Sequence, residues 1–353
     1  MKTKTILITG AAGYVGAMLC NQFSRRQDVG RIIALDKEDM PELLQGQKKI
    51  TWLKANTADA DWLAPAARLK PDLVIHTAWQ IRELYGEKKK QWRWNVDGSK
   101  RVFDFVFSTP SVEKLIYFST VASYGADPTN RLDYRFTERD PLRPSDYLYA
   151  EEKRQVELLL QARYREAPAT GHRPAIFVLR PAAITGPRGR FMRVRFGLQA
   201  VLSGQLKATL THRLISLLVS FVPVTKKWCR QFIHEDDVND IVTTLAFNYS
   251  GADYEVFNIC PPGPIVTGEQ MATAVGKKSV MVSPWLIWLV FFVMWHLSRG
   301  RVPTSRGGWK SYAYPIAVDG SKLSQQTGYR YRYRAKEAFT KKTGRYAKYI
   351  KKP

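Results

Sequence analysis

The sequence predicts an α/β fold: a doubly wound parallel sheet followed by a smaller lobe. Runs of apolar and β-branched residues in the first half are near-continuous, as expected of strands covered on both faces; they lie at 5–10, 31–36, 50–55, 72–78, 114–120 and 175–181. Most of these runs are separated by segments with apolar residues at helical spacing, such as 14–26, 92–108 and 147–165. Strands and helices alternating in this order are typical of a parallel sheet.

The character of the chain changes near residue 186. A basic loop and several Gly/Pro breaks replace the regular alternation. We therefore predict a main domain over 1–185, to which 232–259 returns, and a smaller lobe formed by 186–231 and 260–335. A basic tail over 336–353 completes the chain.

Charge is the unusual feature of the composition. The 353 residues carry a formal net charge of +24, and residues 329–353 contain ten Lys or Arg against the single acid Glu337. We expect this end of the chain to be a solvated tail and disfavour nucleic-acid binding. Tyrosines alternate with the basic residues there, so an RNA or membrane-surface contact stays open.

The cysteines indicate neither a metal site nor a disulfide framework. Cys20, Cys229 and Cys260 are far apart and odd in number, and no Cys/His cluster has ligand spacing. They are typical of reduced cysteines in a cytosolic protein. Since the N-terminus runs directly into the first strand without an apolar signal region, we expect a cytoplasmic location, with peripheral membrane contact as an alternative.

The longest apolar run is WLIWLVFFVMWHL, residues 285–297. Thirteen residues are too few to span a bilayer, which needs about 20. We predict a buried helix of the second lobe. The aromatic residues of the run, and Arg299, Arg301 and Arg306 after it, leave a monotopic membrane contact as the alternative.

Gly10, Gly13 and Gly16 follow the first strand and open a helix. In a nucleotide-binding turn, the first glycine permits the tight turn, the second lets the backbone approach a pyrophosphate, and the third lets the helix pack on the strand. Asp36 ends the second strand, where a carboxylate can accept hydrogen bonds from both adenine-ribose hydroxyls. It favours NAD over NADP, although the adjacent Lys37 weakens this preference. The alternative is a close-packed turn without a ligand.

Several further motifs make the chain resemble the extended short-chain dehydrogenases/reductases, the branch of NAD-dependent epimerases and dehydratases. The resemblance covers roughly residues 3–260. It rests on TGxxGxxG, HTAW (76–79), NVDGSKRVF (95–103), FSTVASYG (118–125), YAEEK (149–153), LRPAAITGP (179–187) and FIHEDDV (232–238). It implies a Rossmann-type domain that binds NAD, a smaller substrate lobe, and a homodimer formed through the helix that carries Tyr149.

The resemblance also implies which residues surround the cofactor. They are Gly10, Gly13, Tyr14, Val15, Gly16, Asp36, Lys37, Asn56, Thr57, Ala78, Asn95, Tyr149, Lys153 and Pro181. Asn56 stands where many relatives have an Asp beside the adenine. For Asn95, a helix N-cap is the alternative role.

Tyr149 and Lys153 are four residues apart, so a helix places them on one face. A free tyrosine, with a pKa of about 10, is a poor base at neutral pH, and a neighbouring lysine cation favours its phenolate. By resemblance, Lys153 also binds the nicotinamide ribose, and Thr120 holds the substrate oxygen during hydride transfer. Ser119 is the neighbouring alternative to Thr120.

Other polar residues have simpler interpretations. Tyr85 and Lys89 repeat the same spacing but lie in a polar stretch, which predicts a solvated surface pair. Tyr147 precedes Glu151 and is rejected as the base. Asp236 and Asp237 are expected to cap the helix that follows them, and His234 is expected to be structural.

The substrate is less well indicated. Sugar-nucleotide epimerases of this branch usually carry an Asn where this chain has Ala183 and a Tyr where it has Thr185, which weakens the case for a nucleotide sugar. Four basic side chains form either an anion site or a solvated loop; they are Arg188, Arg190, Arg193 and Arg195. We predict an NAD-dependent oxidoreductase or epimerase acting on a sugar nucleotide or on a large apolar alcohol, as hydroxysteroid-dehydrogenase-like members do. The alternative is a non-catalytic NAD-binding module with a membrane- or RNA-binding tail.

Overall fold

A computed structural model describes residues 3–168, 171–188, 221–274, 276–341 and 343–349. Its centre is a seven-stranded parallel sheet in the order β11-β6-β5-β4-β1-β2-β3. The strands are β1 (Lys4–Thr9), β2 (Val29–Asp36), β3 (Ile50–Lys54), β4 (Leu73–His76), β5 (Lys114–Phe118), β6 (Ala175–Pro181) and β11 (Tyr254–Ile259). The predicted α/β class and its parallel sheet are confirmed.

Helices cover both faces of this sheet. They are α1 (Tyr14–Phe23), α2 (Leu63–Arg68), α3 (Lys88–Trp92), α4 (Gly98–Ser108), α5 (Leu148–Glu166) and α6 (Glu235–Thr243). Side chains alternate across β1, so Ile6 and Ile8 pack with α1 and α6, whereas Leu7 packs with α4 and α5. The apolar strand runs are near-continuous because both faces are buried.

The predicted helix over 92–108 is interrupted. A π-turn over Arg93–Asp97 separates α3 from α4. Turns of this kind inside α-helices are frequent at functional sites, and this one carries Asn95 in the buried interior.

The second lobe consists of short paired strands and helices. β7 (Ala183–Thr185) pairs with β10 (Phe232–His234), β8 (Phe221–Val224) with β13 (Lys278–Met281), and β9 (Cys229–Arg230) with β12 (Val266–Thr267). The helices are α7 (Gly268–Ala274), α8 (Pro284–Leu297), α9 (Ser321–Thr327) and α10 (Ala335–Thr340). The segment 232–259 contributes β11 to the main sheet; the domain boundaries stay predictions.

The predicted burial of the apolar run 285–297 is wrong. The run forms α8, but only Ile287 and Trp295 are buried, while Trp285 is 62% and Leu297 79% exposed. The described residues of the second lobe leave eight large apolar side chains of α8 exposed. In the part of the chain described, no helix combines the length and apolarity needed to cross a membrane.

The expectation of a solvated basic tail is also wrong for the described residues. Tyr346 is buried and donates its hydroxyl to the Met18 carbonyl on α1 at 2.8 Å. Arg345 and Arg332 both pair with Asp240 of α6, at 2.6 and 2.7 Å. Part of the positive charge is therefore used in intramolecular ion pairs, and the alternating tyrosines supply packing.

Candidate active site

The glycine turn brings the loops after β1 and β4 into contact. Gly10 has φ +71°, and a Cβ there would lie 2.6 Å from the Ala78 nitrogen. A Cβ on Gly16 would lie 2.1 Å from the Gly10 carbonyl oxygen, so α1 packs directly on the turn. β1 and β4 flank the point where the strand order reverses, the usual ligand crevice of such sheets.

Helix α1 begins immediately after this turn. Gly13 is its N-cap and has no side chain that could cap the first turn. A helix N-terminus that follows glycine backbone favours a diphosphate. The Tyr14 hydroxyl donates to Glu235 at the start of α6, and Val15 is partly buried against the core. The turn therefore fits the pyrophosphate of a dinucleotide.

Asp36 lies at the carboxyl end of β2. One carboxylate oxygen accepts the Ala12 N–H at 2.9 Å and the other accepts the Glu38 N–H at 3.0 Å. A carboxylate has about four acceptor positions, so this anchoring leaves capacity for ribose hydroxyls. Lys37 pairs with Glu38 and lies 4.8 Å from the centre of the Trp94 ring.

Asn56 and Thr57 follow β3 at the same sheet edge. The Asn56 side-chain oxygen accepts the Ala58 N–H at 2.9 Å, and Thr57 is buried against Gly98 of α4. Pro181, also predicted near the cofactor, is buried at the end of β6 and pairs with Ile259. Contact of these three residues with the cofactor stays a prediction.

His76 ties β4 to its neighbours. Its ring nitrogens bond Thr9 Oγ1 at 2.6 Å and Ser99 Oγ at 2.9 Å. Burial lowers its pKa to about 3, with a smaller contribution from the Lys153 charge. His76 is therefore neutral, and its two hydrogen bonds link β4 to β1 and α4 beneath the site.

Asn95 fastens the loop after β4. Its amide oxygen accepts the Gln80 N–H at 2.7 Å, and its amide nitrogen donates to the Gln80 carbonyl at 3.0 Å and to Glu152 at 2.7 Å. The N-cap alternative is wrong, because Asn95 lies inside the π-turn. A direct role at the cofactor stays a prediction.

Lys153 is the buried centre of the predicted catalytic set. It is 4% exposed, donates to the Phe118 carbonyl at the end of β5, and lies 3.6 Å from the centre of the Trp79 ring. Burial lowers the pKa of Lys153 well below its ordinary value, while Glu157 and Glu152 oppose this fall. The sequence did not point to a role for Trp79, although HTAW places it directly after Ala78, which is predicted to surround the cofactor.

Tyr149 occupies the first turn of α5, one turn before Lys153. Thr120 lies two residues beyond Phe118, is 6% exposed, and accepts the Ala122 N–H at 3.2 Å. The neighbouring Ser119 instead donates its hydroxyl to the buried Glu157. Lys153 therefore reaches the carboxyl end of β5, which Thr120 follows, and Tyr149 lies one helical turn away. Ser119 is directed to Glu157 instead, and the joint action of Thr120, Tyr149 and Lys153 stays a prediction.

The structure also shows the surroundings of Tyr147 and Tyr85, the two tyrosines that the sequence does not favour as the catalytic base. Tyr147 lies with its ring 5.6 Å from that of Tyr149, and burial raises its pKa. Tyr85 is not on a helix shared with Lys89; its ring packs 5.4 Å from Trp295 of α8. Both residues are exposed, as expected of the surface, and Tyr85 also supports α8.

A buried network under Thr120 escaped sequence reasoning. Arg180 pairs with Glu157 and donates to the Tyr124 hydroxyl at 2.6 Å. Tyr124 in turn donates to Asn258 at 2.9 Å. The only sequence signal was the four-residue step from Lys153 to Glu157, which places both on one face of α5.

Three expectations around α6 have different outcomes. His234, not Asp236 or Asp237, is the N-cap: its side chain accepts the Asp236 N–H at 3.2 Å. The two aspartates lie in the first helical turn and bind the backbone of residues 332 and 345. Negative charge is favoured at a helix N-terminus, so the two aspartates are well placed there to accept hydrogen bonds from the N–H groups of Arg332 and Arg345.

The segment predicted to face the substrate is described only in part. Ala183 lies in β7, and Thr185 donates its hydroxyl to the Ala338 carbonyl at 2.6 Å. The Arg188 N–H bonds Glu235 at 3.2 Å, and burial lowers the pKa of the Arg188 side chain. Arg190, Arg193 and Arg195 lie outside the described residues.

Comparisons with known proteins agree with this geometry. A model of the NAD-dependent epimerase/dehydratase family matches residues 6–260. An uncharacterised protein of Methanocaldococcus jannaschii is 30% identical over 173 residues, which are 45% of this chain and 51% of that protein, so the match spans only about half of that relative.

Solved structures share the fold over almost the whole chain. The Bordetella bronchiseptica enzyme WbmG, in complex with NAD and UDP, has a TM-score of 0.69 at 21% identity, covering 99% of this chain and 95% of that one. UDP-glucose 4-epimerase of Thermotoga maritima, with UDP-glucose, has a TM-score of 0.65 at 19% identity, covering 95% and 96%.

Proposed function

The chain belongs to the NAD-dependent epimerase/dehydratase family, and from that premise we propose that it transfers hydride between NAD and a secondary alcohol or ketone carbon, with Tyr149 as acid/base. The observation that carries the proposal is the position of Lys153. Its amine is buried and donates to the Phe118 carbonyl at the end of β5, two residues before Thr120, and Tyr149 lies one helical turn away. Burying a lysine costs free energy of folding, so its presence here favours a chemical role.

The cofactor site follows from the fit of the glycine turn. The N–H groups at the start of α1 would bind the diphosphate, Asp36 would accept hydrogen bonds from the adenine-ribose hydroxyls, and Lys153 would bind the nicotinamide ribose. Bound NAD supplies the hydride acceptor and, in the reverse direction, the hydride donor.

The protein residues handle the proton. Tyr149 takes the proton from the substrate hydroxyl as the hydride leaves the adjacent carbon, and returns it in the reverse direction. The Lys153 cation stabilises the phenolate and so brings the pKa of Tyr149 towards neutrality. The Thr120 hydroxyl hydrogen-bonds the same substrate oxygen and holds the carbon in line for transfer.

Two substrate classes have different support. The structural neighbours solved with UDP or UDP-glucose favour a nucleotide sugar. Ala183, which has no side-chain donor for a diphosphate, and Thr185, whose hydroxyl is bonded to Ala338, favour a large apolar alcohol. The exposed apolar helix α8 near the site also favours that class.

Native mass spectrometry of the purified protein, followed by turnover assays with UDP-glucose and pregnenolone as probes, tests the proposal. We expect bound or readily bound NAD. Retained NAD with an isomerised or dehydrated sugar favours an epimerase or dehydratase, and release of reduced cofactor with the steroid favours a dehydrogenase.

Tyr149→Phe should lower turnover of the active probe at least about 100-fold, with NAD still bound. Tyr147→Phe is the matched control, because its ring is adjacent but Glu151, not a lysine, lies four residues after it, and turnover should persist. An unchanged rate for Tyr149→Phe would contradict the catalytic assignment. Failure to bind NAD would contradict the proposal as a whole.

A further inference from the structure

Helix α8 and strand β13 present a large exposed apolar surface, here called the α8 surface. Its most exposed members are Trp285, Phe292 and Leu297 on α8 and Met281 on β13, each more than half exposed. Contiguous apolar patches of this kind on a folded protein mark an interaction site.

The distribution of the side chains around α8 indicates the kind of partner. At 3.6 residues per turn, the eight exposed large apolar side chains of α8 occupy an arc of roughly 240°. Ile287 and Trp295 lie in the remaining sector and are buried. A protein partner covers one side of a helix, whereas a fluid hydrocarbon medium can surround an arc of this width.

Ring contacts in that buried sector attach α8 to the protein. Trp295 packs on Tyr85 with ring centres 5.4 Å apart, and Phe291 packs on Tyr312 at 5.2 Å. The exposed His296 adds a contact with the Tyr85 hydroxyl at 3.3 Å. These contacts hold α8 against the body and leave its eight large apolar side chains exposed.

Charge around the surface favours an anionic partner. Residues 270–318 contain six Lys or Arg and no Asp or Glu. Lys277 and Lys278 lie at the start of β13, and Arg299 and Arg301 follow the end of α8. Basic residues at both ends of an apolar helix match the negative surface of an anionic bilayer.

The length of α8 determines whether it can span a bilayer. Fourteen residues at 1.5 Å each extend about 21 Å, less than the roughly 30 Å of the hydrocarbon core. We propose that the α8 surface binds an anionic phospholipid membrane, with α8 inserted in the interfacial region and not across it. Trp285 and Trp288 then lie at the depth where tryptophan is enriched.

The chain that follows α8 contacts the start of α5. At Gly307 a Cβ would lie 2.4 Å from the Tyr147 nitrogen, and Tyr147 is two residues from Tyr149. Membrane binding through α8 would therefore act on a segment that contacts the chain beside Tyr149, a consequence for substrate access that rests on the proposed function.

Flotation of the full-length protein with vesicles tests the proposal. One set contains phosphatidylcholine alone and the other contains phosphatidylcholine with phosphatidylglycerol. We expect preferential binding to the anionic vesicles, weakened by salt. Trp288→Glu/Phe292→Glu should lower the partition coefficient about tenfold or more, because each buried aromatic side chain contributes at least that factor. Leu132→Glu is the matched control, because Leu132 is exposed and lies in a loop outside the α8 surface.

Arg299→Glu/Arg301→Glu tests the electrostatic part with the apolar face intact, and decides the matter if the first variant fails to fold. It should lose the preference for anionic vesicles. The proposal is overturned if the wild type does not float with either set, or if both variants bind as the wild type does. Oligomers that Trp288→Glu/Phe292→Glu dissociates, without vesicle binding, would instead identify a second copy of the chain as the partner. Because flotation needs neither cofactor nor substrate, its outcome is independent of turnover.

Discussion

Replacing Glu157 with Gln removes one charge from the buried network beneath the site. Glu157 and Arg180 have side chains only 5% and 6% exposed. Glu157 accepts from Arg180 Nε at 2.9 Å and also from the Ser119 hydroxyl. Gln has nearly the same shape, so the change leaves the packing intact but leaves the Arg180 guanidinium buried without its anion.

The expected cost is large. Breaking a buried ion pair by neutralising one partner destabilises a protein by about 3–5 kcal/mol, a large part of a typical unfolding free energy of about 5–15 kcal/mol. We expect a fall in melting temperature on the order of 10 °C. Urea unfolding followed by circular dichroism measures the free energy, and differential scanning calorimetry measures the temperature.

A surface pair provides the control. Asp146 pairs with Lys310 at 2.7 Å, but its side chain is 63% exposed. Asp146→Asn should therefore cost less than about 1 kcal/mol. Glu157→Gln/Arg180→Met, which removes both buried charges, should be less destabilised than the sum of the two single variants. A Glu157→Gln protein within about 1 kcal/mol of the wild type would refute the argument.

Three further predictions concern pH, the glycine turn and assembly. The folded pKa of His76, about 3, lies below its ordinary value of 6.5, so the stability it contributes is present above pH 6.5 and falls by about 1.4 kcal/mol per pH unit as the pH drops from there towards 3; urea unfolding of His76→Gln should lack this component of the slope, and an identical slope would contradict the assignment. Gly16→Ala should cost about 1–3 kcal/mol and weaken NAD binding at least tenfold in calorimetry, because its Cβ meets the Gly10 oxygen. Gly46→Ala, with φ +73° but open space, should cost about 1–2 kcal/mol through backbone strain alone and leave NAD affinity unchanged; equal affinities of the two variants would sink this explanation. If the chain forms a homodimer through α5, Leu158→Glu, at a 40% exposed position on that helix, should shift it to monomer in sedimentation velocity, and an unaltered dimer would place the interface elsewhere.

The parts of the site that sequence reasoning predicted depend on local patterns. The glycine turn, Asp36 at a strand end and the Tyr149–Lys153 step each involve residues close in the chain. Parallel strands then bring their carboxyl ends to one edge, so the strand order alone predicts that the glycine turn, Asp36 and Thr120 share that edge.

The parts of the site that the sequence did not predict depend on contacts between residues far apart in the chain. Arg180 is 23 residues from Glu157, and Tyr124 is 134 residues from Asn258. Pairing over such separations leaves no periodic pattern. The same holds for the basic end of the chain, since its partners on α1 and α6 lie more than 90 residues away.

Helix α8 failed prediction for a different reason. A helix that is apolar around most of its circumference suits either a protein core or a lipid medium, because both remove it from water. The fold decides between them. One face of the sheet is filled by α1 and α6, and the other by α4 and α5, while the core of the second lobe is small. Among the described residues, only Ile287 and Trp295 of α8 are buried, so most of its apolar side chains do not serve a core formed by that part of the chain. The basic residues at its ends, which a buried helix does not need, are the sequence feature that favours lipid.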